Sequence, residues 1–433
     1  MISGRGAELV HDWNHVEGAE WPSDVAISDE TLRDGLQSPS IKQPDIQEKV
    51  YILYLMDDLG VDIADLGLPG AGNRFQRDVT VLAREIANQN LGVKAQAAAR
   101  SLESDIRPII EASQAAGIPI EAAIFLGSSP IRQYAEGWDL DRLTRLTDEA
   151  VTFAVTHDLP VMFVTEDTTR SDPDVVRQLY TTAIRCGARS VCVADTVGHA
   201  TPDGIANLVR FVRGVVDDAG AGTTIDYHGH KDRGLDVANS LAAIRAGADR
   251  VHVCALGIGE RSGNTPTELL LTNLALLGIG DRDLSVLPEY CQVVSEACDV
   301  PIPFNYPIVG HDAFRTSTGV HAAAIAKAKA RHDDWLADRV YCGVPAGLVS
   351  RSQAIEIGPM SGEHNVRFWL QERGIEIDDV YVEKILEAAK RSRRLLAEDE
   401  LMRMIRVMRR RKGSPGGESD FAFSWETAAE TEA

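Results

Sequence analysis

What most constrains the fold of this chain is an alternation that repeats eight times. Short runs rich in β-branched and apolar residues recur at 25–28, 63–67, 93–98, 121–126, 161–164, 190–194, 224–228 and 250–254. Between them lie stretches with helical spacing, such as 46–59, 105–116, 141–156, 173–186, 202–217 and 235–246. Pro173 and Pro202 each follow a Ser/Thr/Asp cluster and suit a first helical turn, where a missing N–H costs nothing. Eight strand–helix repeats over about 260 residues match an α/β chain closed into a (β/α)8 barrel of about 250. A doubly wound open sheet shows the same alternation, but the number eight favours closure.

The alternation ends near residue 280, which predicts a division of the chain. Residues 1–22 form an N-terminal extension and 23–280 the catalytic barrel. A mainly helical subdomain follows over 281–412, with helices expected at 363–373 and 380–411. The Gly/Ser/Glu-rich tail, 413–433, reads as disordered. The basic run Arg409-Arg410-Arg411-Lys412 suits a helix C-terminus, where cations are favourable.

A net charge of -21 argues against nonspecific binding to nucleic acid or anionic membrane. The six cysteines form no Cys-x-x-Cys pair and several sit in apolar runs, as reduced core residues of a cytoplasmic protein do. The polar N-terminus lacks the apolar region of a secretion signal, and no run of about 18 apolar residues could span a membrane.

In a barrel of this kind the chemistry sits on loops at the carboxyl ends of the strands. The first strand ends in Asp29-Glu30-Thr31-Leu32-Arg33-Asp34-Gly35-Leu36-Gln37, with a glycine suited to a tight turn. The second ends in Asp65-Leu66-Gly67, the fifth in Thr165-Glu166-Asp167-Thr168-Thr169-Arg170, and the sixth in Asp195-Thr196-Val197-Gly198-His199. The seventh carries His228-Gly229-His230, whose imidazoles fall on one side of a strand as a metal site requires. The eighth runs into Gly257-Ile258-Gly259-Glu260-Arg261-Ser262-Gly263-Asn264.

Each piece alone has a plainer explanation. Asp34 and Asp195 could cap helices, Glu166 and Asp167 could be a solvated pair, and His199 and His252 read as packed or surface histidines. Recurrence on one face of one barrel outweighs these explanations.

Together the motifs Thr-Leu-Arg-Asp-Gly-x-Gln, Glu-Asp-x-x-Arg, Asp-Thr-Val-Gly, His-x-His-x-Asp-x-Gly and Gly-Ile-Gly-Glu-Arg-x-Gly-Asn resemble the DRE-TIM metallolyase superfamily. The similarity is greatest to its Claisen-condensing branch, the 2-isopropylmalate, homocitrate and citramalate synthases. That resemblance implies a divalent metal (Mg2+, Mn2+ or Zn2+) held by Asp34, His228 and His230, with Asn264 as a further ligand. It implies catalytic roles for Arg33 and Glu166, and substrate contacts from Gln37, Arg100 and Thr196. The segment around Pro307–Phe314 and 317–321 resembles the linker subdomain of these synthases, which reaches into the partner's barrel in a homodimer. By position, His321 and Tyr341 match residues implicated there in acid–base chemistry, and packing within a small helical subdomain is the equal alternative.

The implied reaction condenses acetyl-CoA with a 2-oxo acid and releases CoA. The alternatives are a hydroxymethylglutaryl-CoA lyase-like carbon–carbon cleavage and an inactive metal-binding relative. Several positions depart from the family pattern: Leu36 replaces glutamate, Ala123 histidine, Met162 arginine, Asp65 glutamate and Lys231 asparagine. Lys231 should point away from the histidines beside it. The changes around the side-chain pocket imply an unusual 2-oxo acid. Leucine-regulated synthases carry a C-terminal domain of roughly a hundred residues. The tail here is too short for one, so feedback through it is not expected.

Overall fold

The computed structural model describes residues 9–14, 20–220 and 222–412. The tail at 413–433 and most of the N-terminal extension lie outside the described residues. Eight parallel strands close into a barrel in sequence order: β1 (Ala26–Asp29), β2 (Ile63–Asp65), β3 (Lys94–Arg100), β4 (Glu121–Gly127), β5 (Val161–Glu166), β6 (Ser190–Asp195), β7 (Thr224–Gly229) and β8 (Arg250–Val253). Closure is made by β1 against β8, with Ala26 opposite Arg250 and Asp29 opposite Val253. All eight expected strands are present, within two residues at each end.

The helices between them start where side chains satisfy the first backbone N–H groups. Ile46–Asp58 (α1) opens with a capping box: Asp45 accepts from the Glu48 amide at 2.9 Å, and Glu48 accepts from the Asp45 amide at 2.7 Å. Pro173 and Pro202 occupy first turns as expected, behind the caps Asp172 and Thr201. Ile52, Leu53 and Met56 of α1 are fully buried, each stabilising the fold by roughly 1.5–3 kcal/mol.

The alternation stops at 280, but the compact unit that holds the barrel continues to Ala313. Leu287–Cys298 (α10, counting helices along the chain) belongs to it, with Tyr290, Cys291, Val294 and Cys298 fully buried. Its Tyr290 hydroxyl donates to Asp29 at 2.7 Å at the carboxyl end of β1. A helix that packs on a barrel without a following strand breaks the repeat without leaving the unit.

The second unit comprises Phe314–Gly347 and the residues from Arg351 onward. It pairs two short parallel strands, Arg315–Thr316 and Ala354–Ile355, and packs helices around Trp369, Leu370, Val382 and Ile385. The single helix expected at 380–411 is two, Asp379–Arg391 and Glu398–Lys412. Ser392 is extended (φ -72°, ψ 154°), and the Leu396 amide bonds to the Ile357 carbonyl at 2.9 Å while its side chain joins the core. The intervening Arg393 and Arg394 are good helix formers, so propensity gives no sign of the break.

Candidate active site

Inside the barrel, side chains form layers. At the amino ends of the strands, Arg250 of β8 donates to Asp226 of β7 and, at 2.8 Å, to Glu121 of β4. Gln96 of β3 adds a further bond to Glu121 at 2.5 Å. Next come Ala98, Ala123, Met162 and Cys192, one each from β3 to β6, packed with Leu68, Phe125 and Val164. A cavity of about 290 Å3 opens beyond them toward the carboxyl ends.

The loop after β1 is shaped by Asp29. Its carboxylate accepts from the Thr31 amide at 2.8 Å, the Thr267 hydroxyl at 2.9 Å and Tyr290. This turn points Glu30, Arg33 and Asp34 inward. Gly35 is not in the left-handed region, so the tight-turn explanation fails. A Cβ there would stand 3.1 Å from the Ile258 side chain, a tight approach that would make that side chain shift.

Asp34, His228 and His230 each offer a ligand atom, and these atoms lie within 4.8 Å of one another. The two Nε2 atoms face each other at 3.2 Å. His228 turns its Nδ1 to Glu30 Oε2 at 3.0 Å, and His230 turns its Nδ1 to the Gly263 carbonyl at 3.2 Å. Each ring is thus oriented by an acceptor behind it while its other nitrogen faces inward, the usual arrangement behind metal-binding imidazoles. His230 pairs with Asn264 through an isolated bridge, and the Asn264 amide donates to Asp34 Oδ1 at 2.6 Å. Asn264 Oδ1 is buried without a hydrogen-bond partner. At Gly259 (φ 146°) a Cβ would fall 2.1 Å from Asn264 Nδ2 and 2.7 Å from Asp34 Oδ1, so only glycine lets this loop close over them. Three ligand atoms converge beside the Asn264 amide, and a carboxylate with two imidazoles fits a divalent cation.

Arg33 is tied to three carboxylates: Nε to Asp65 at 2.8 Å, Nη1 to Asp34 at 2.9 Å and Nη2 to Glu30 at 2.5 Å. Of a guanidinium's five N–H donors, these contacts leave two, one on each terminal nitrogen. Burial pushes the Asp65 carboxyl up to about 6 against the pull of Arg33. Burial also opposes ionisation of Glu30, but Arg33 and the two neighbouring histidines outweigh it and hold the carboxyl well below its usual range. Burial and then the neighbouring His228 push His230 down to about 4.

His252 sits deeper, between two acids: Nδ1 is 2.7 Å from Glu30 Oε1 and Nε2 is 3.0 Å from Asp226 Oδ2. Burial would lower its pKa, yet Glu30 and then Asp226 raise it to about 9. It is therefore no idle packing histidine. Sequence reasoning missed Glu30, Asp226, Arg250 and His252. The signal was available, because Asp226/His228 and Arg250/His252 are pairs two apart on adjacent strands and share the inward face.

The cavity gathers Gln37, Glu166 and Thr196 with Arg33, Asp34, His228 and His230. Burial raises the Glu166 carboxyl despite Arg132, whose Nη2 lies 3.8 Å away. Its neighbour Asp167 is instead locked to Arg170, with contacts of 2.8 Å to both oxygens. Asp195 organises its own loop, accepting from Thr169 and the His199 amide at 2.8 Å. Lys231 points away from the histidines, its Nζ 3.4 Å from the Leu256 carbonyl. Arg100 stands apart from the cavity lining: Asp105 grips it with contacts of 2.6 and 3.0 Å, and its side chain is 60% exposed. It shares the inward phase of Gln96 and Ala98 on β3, so its pairing with Asp105, and not the alternation, holds it away from the cavity lining. His321 and Tyr341 belong to the second unit, where their rings stack with centroids 4.1 Å apart.

Residues 24–294 match the HMGL-like family. A probable 2-isopropylmalate synthase of Methanopyrus kandleri is 33% identical over 375 residues, which cover 85% of this chain and 70% of that protein. A homocitrate synthase of the same organism is 32% identical over 409 residues, 93% of this chain and 97% of that one. Among solved structures, the hydroxymethylglutaryl-CoA lyase of Bacillus subtilis aligns with a TM-score of 0.55 at 20% identity, over 65% of this chain and 96% of the lyase. At that identity the likeness concerns the barrel fold. Fold, motifs and relatives agree: this chain belongs to the HMGL-like family, in the branch of the 2-isopropylmalate, homocitrate and citramalate synthases.

Proposed function

We propose that the protein is an acyltransferase that condenses acetyl-CoA with a 2-oxo acid bearing an apolar side chain, giving a 2-hydroxy-2-alkyl dicarboxylic acid and CoA. The observation that carries this reading is the two-sided cavity, with Arg33 beside the Asp34/His228/His230 cluster on one side and an apolar wall on the other. Asp34, His228 and His230, with Asn264 Oδ1, would hold a divalent metal such as Mg2+, Mn2+ or Zn2+. That ion supplies Lewis-acid polarisation of the keto group and a template for its carboxylate.

The remaining steps fall to the protein. Arg33, fixed by its three carboxylates, keeps two donors for the negative charge that develops on the keto oxygen. Gln37 and Thr196 line the same space and would orient the substrate. Glu166, its carboxyl raised by burial, is suited to hold or pass a proton at the cavity mouth. Removal of a methyl proton from acetyl-CoA makes the attacking carbon, and thioester hydrolysis then drives the condensation forward. Among the described residues, the guanidinium groups lining the wall are Arg33 and Arg261, both already paired with carboxylates, which disfavours a substrate with a second acid group.

We further read the protein as a cytoplasmic homodimer in which the second unit supplies His321 and Tyr341 to the partner's barrel. Among the described residues no helix is long and apolar enough to cross a membrane. The test is release of free thiol from acetyl-CoA with Mn2+ and a panel of 2-oxo acids. Thiol release with branched or linear apolar acids supports the proposal. Acetyl-CoA formed from a 3-hydroxyacyl-CoA instead would make the protein a lyase, and silence in both assays would make it an inactive relative.

A further inference from the structure

Two groups of three side chains among the described residues could each hold a cation: Asp34/His228/His230, and Glu30/His228/His252. They share His228, and ring contacts link it to both other histidines. The second group differs in one respect. Both ring nitrogens of His252 already meet carboxylates, Glu30 on one side and Asp226 on the other. Nε2 is hydrogen-bonded to Asp226, and at Nδ1 a metal would have to displace Glu30, 2.7 Å away. His228 uses only Nδ1 in this way and keeps Nε2 inward.

The contacts form a chain that alternates base and acid across three strands: Arg250, Asp226, His252, Glu30, His228. Its far end is braced by Ser190, whose hydroxyl donates to Asp226 at 3.0 Å. Its near end sets the rotation of the His228 ring. Glu30 also holds Arg33, so one carboxylate positions both a metal-facing imidazole and the guanidinium beside it. A carboxylate so deeply buried keeps one orientation only if each oxygen is held. One oxygen faces Arg33 and His228. The other faces His252.

We propose that His252 is a positioning residue for the metal centre: it clamps Glu30, which in turn aims His228, and is not itself a ligand. The inference rests on the proposed metal-dependent function, and metal binding tests it apart from turnover. The probe is Co2+, titrated into metal-free full-length protein and followed by its visible absorption, with circular dichroism and thermal melting on every variant.

Wild type should bind Co2+; absence of binding would overturn the proposed function and this inference together. His252→Leu should weaken binding by about 10- to 100-fold, the usual loss when a partner behind a ligand is removed. Its absorption at saturation should match wild type. Two further variants keep the test independent of gross stability. His252→Asn places an amide donor where Nδ1 stands and keeps the Glu30 contact, so affinity should stay within about threefold. His252→Gln reaches toward Asp226 instead and should weaken binding by about tenfold or more. Equal affinity in the Asn and Gln variants would contradict the proposal, because a purely structural role does not distinguish the two contacts. An unaltered affinity in His252→Leu would overturn it. So would a saturated spectrum showing one nitrogen donor fewer, which would make His252 a ligand.

Discussion

The two halves of the barrel interior differ in how they were built. The half from β1, β2, β7 and β8 carries charges, every one gripped by another: Arg33 by three acids, His252 by two, His228 and His230 by the acceptors behind them. Between the polar groups at its two ends, Glu121 and Glu166, the wall from β3 to β6 carries Ala98, Ala123, Met162 and Cys192, a small apolar layer. The first half is over-determined, and a single substitution leaves a buried charge without its partner, at a cost of several kcal/mol. The second half can change volume or polarity at much lower cost. Under the proposed function, the rigid half would set the reaction class and the permissive one the substrate choice.

The largest effect should come from the metal ligands. Asp34→Ala, or chelation of the wild type, should abolish thiol release, and added Mn2+ should restore only the wild type. Next, Arg33→Lys keeps a charge but loses the fork, and should lower kcat by roughly 10²- to 10³-fold with a smaller change in KM. A loss confined to KM would place Arg33 in binding alone. On the permissive side, Ala123→Val should reduce kcat/KM for a branched 2-oxo acid by about tenfold while sparing pyruvate, since added methyl groups in such pockets cost about 1–3 kcal/mol. Equal losses for both acids would show that this wall does not read the side chain. Smallest of all, Arg100→Ala should leave kcat/KM unchanged, because its guanidinium is 60% exposed and outside the cavity lining.

Much of the rigid half was legible in the sequence because period-two spacing and strand ends place residues without reference to packing. His228 and His230 are two apart at the end of β7, and Asp34 and Asn264 sit on loops that the barrel brings together. Arg100 shares its phase with the inward Ala98, but its guanidinium is held by Asp105 of the following helix, a contact that strand periodicity does not encode. Glu30 and His252 were missed for a different reason. A buried acid or histidine is legible only through its partner, and these partners come from strands far apart in the chain. The break between the last two helices depended on one backbone bond from Leu396 to Ile357, a tertiary contact that local propensity does not encode.

The most direct test of the division is a crystal structure with Mn2+ and an apolar 2-oxo acid. The anomalous signal should lie about 2.0–2.2 Å from Nε2 of both His228 and His230 and from a carboxylate oxygen of Asp34. The acid's side chain should rest against Ala123 and Met162. An ion bound by Glu30 and His252, or a side chain directed away from the β3–β6 wall, would contradict the account.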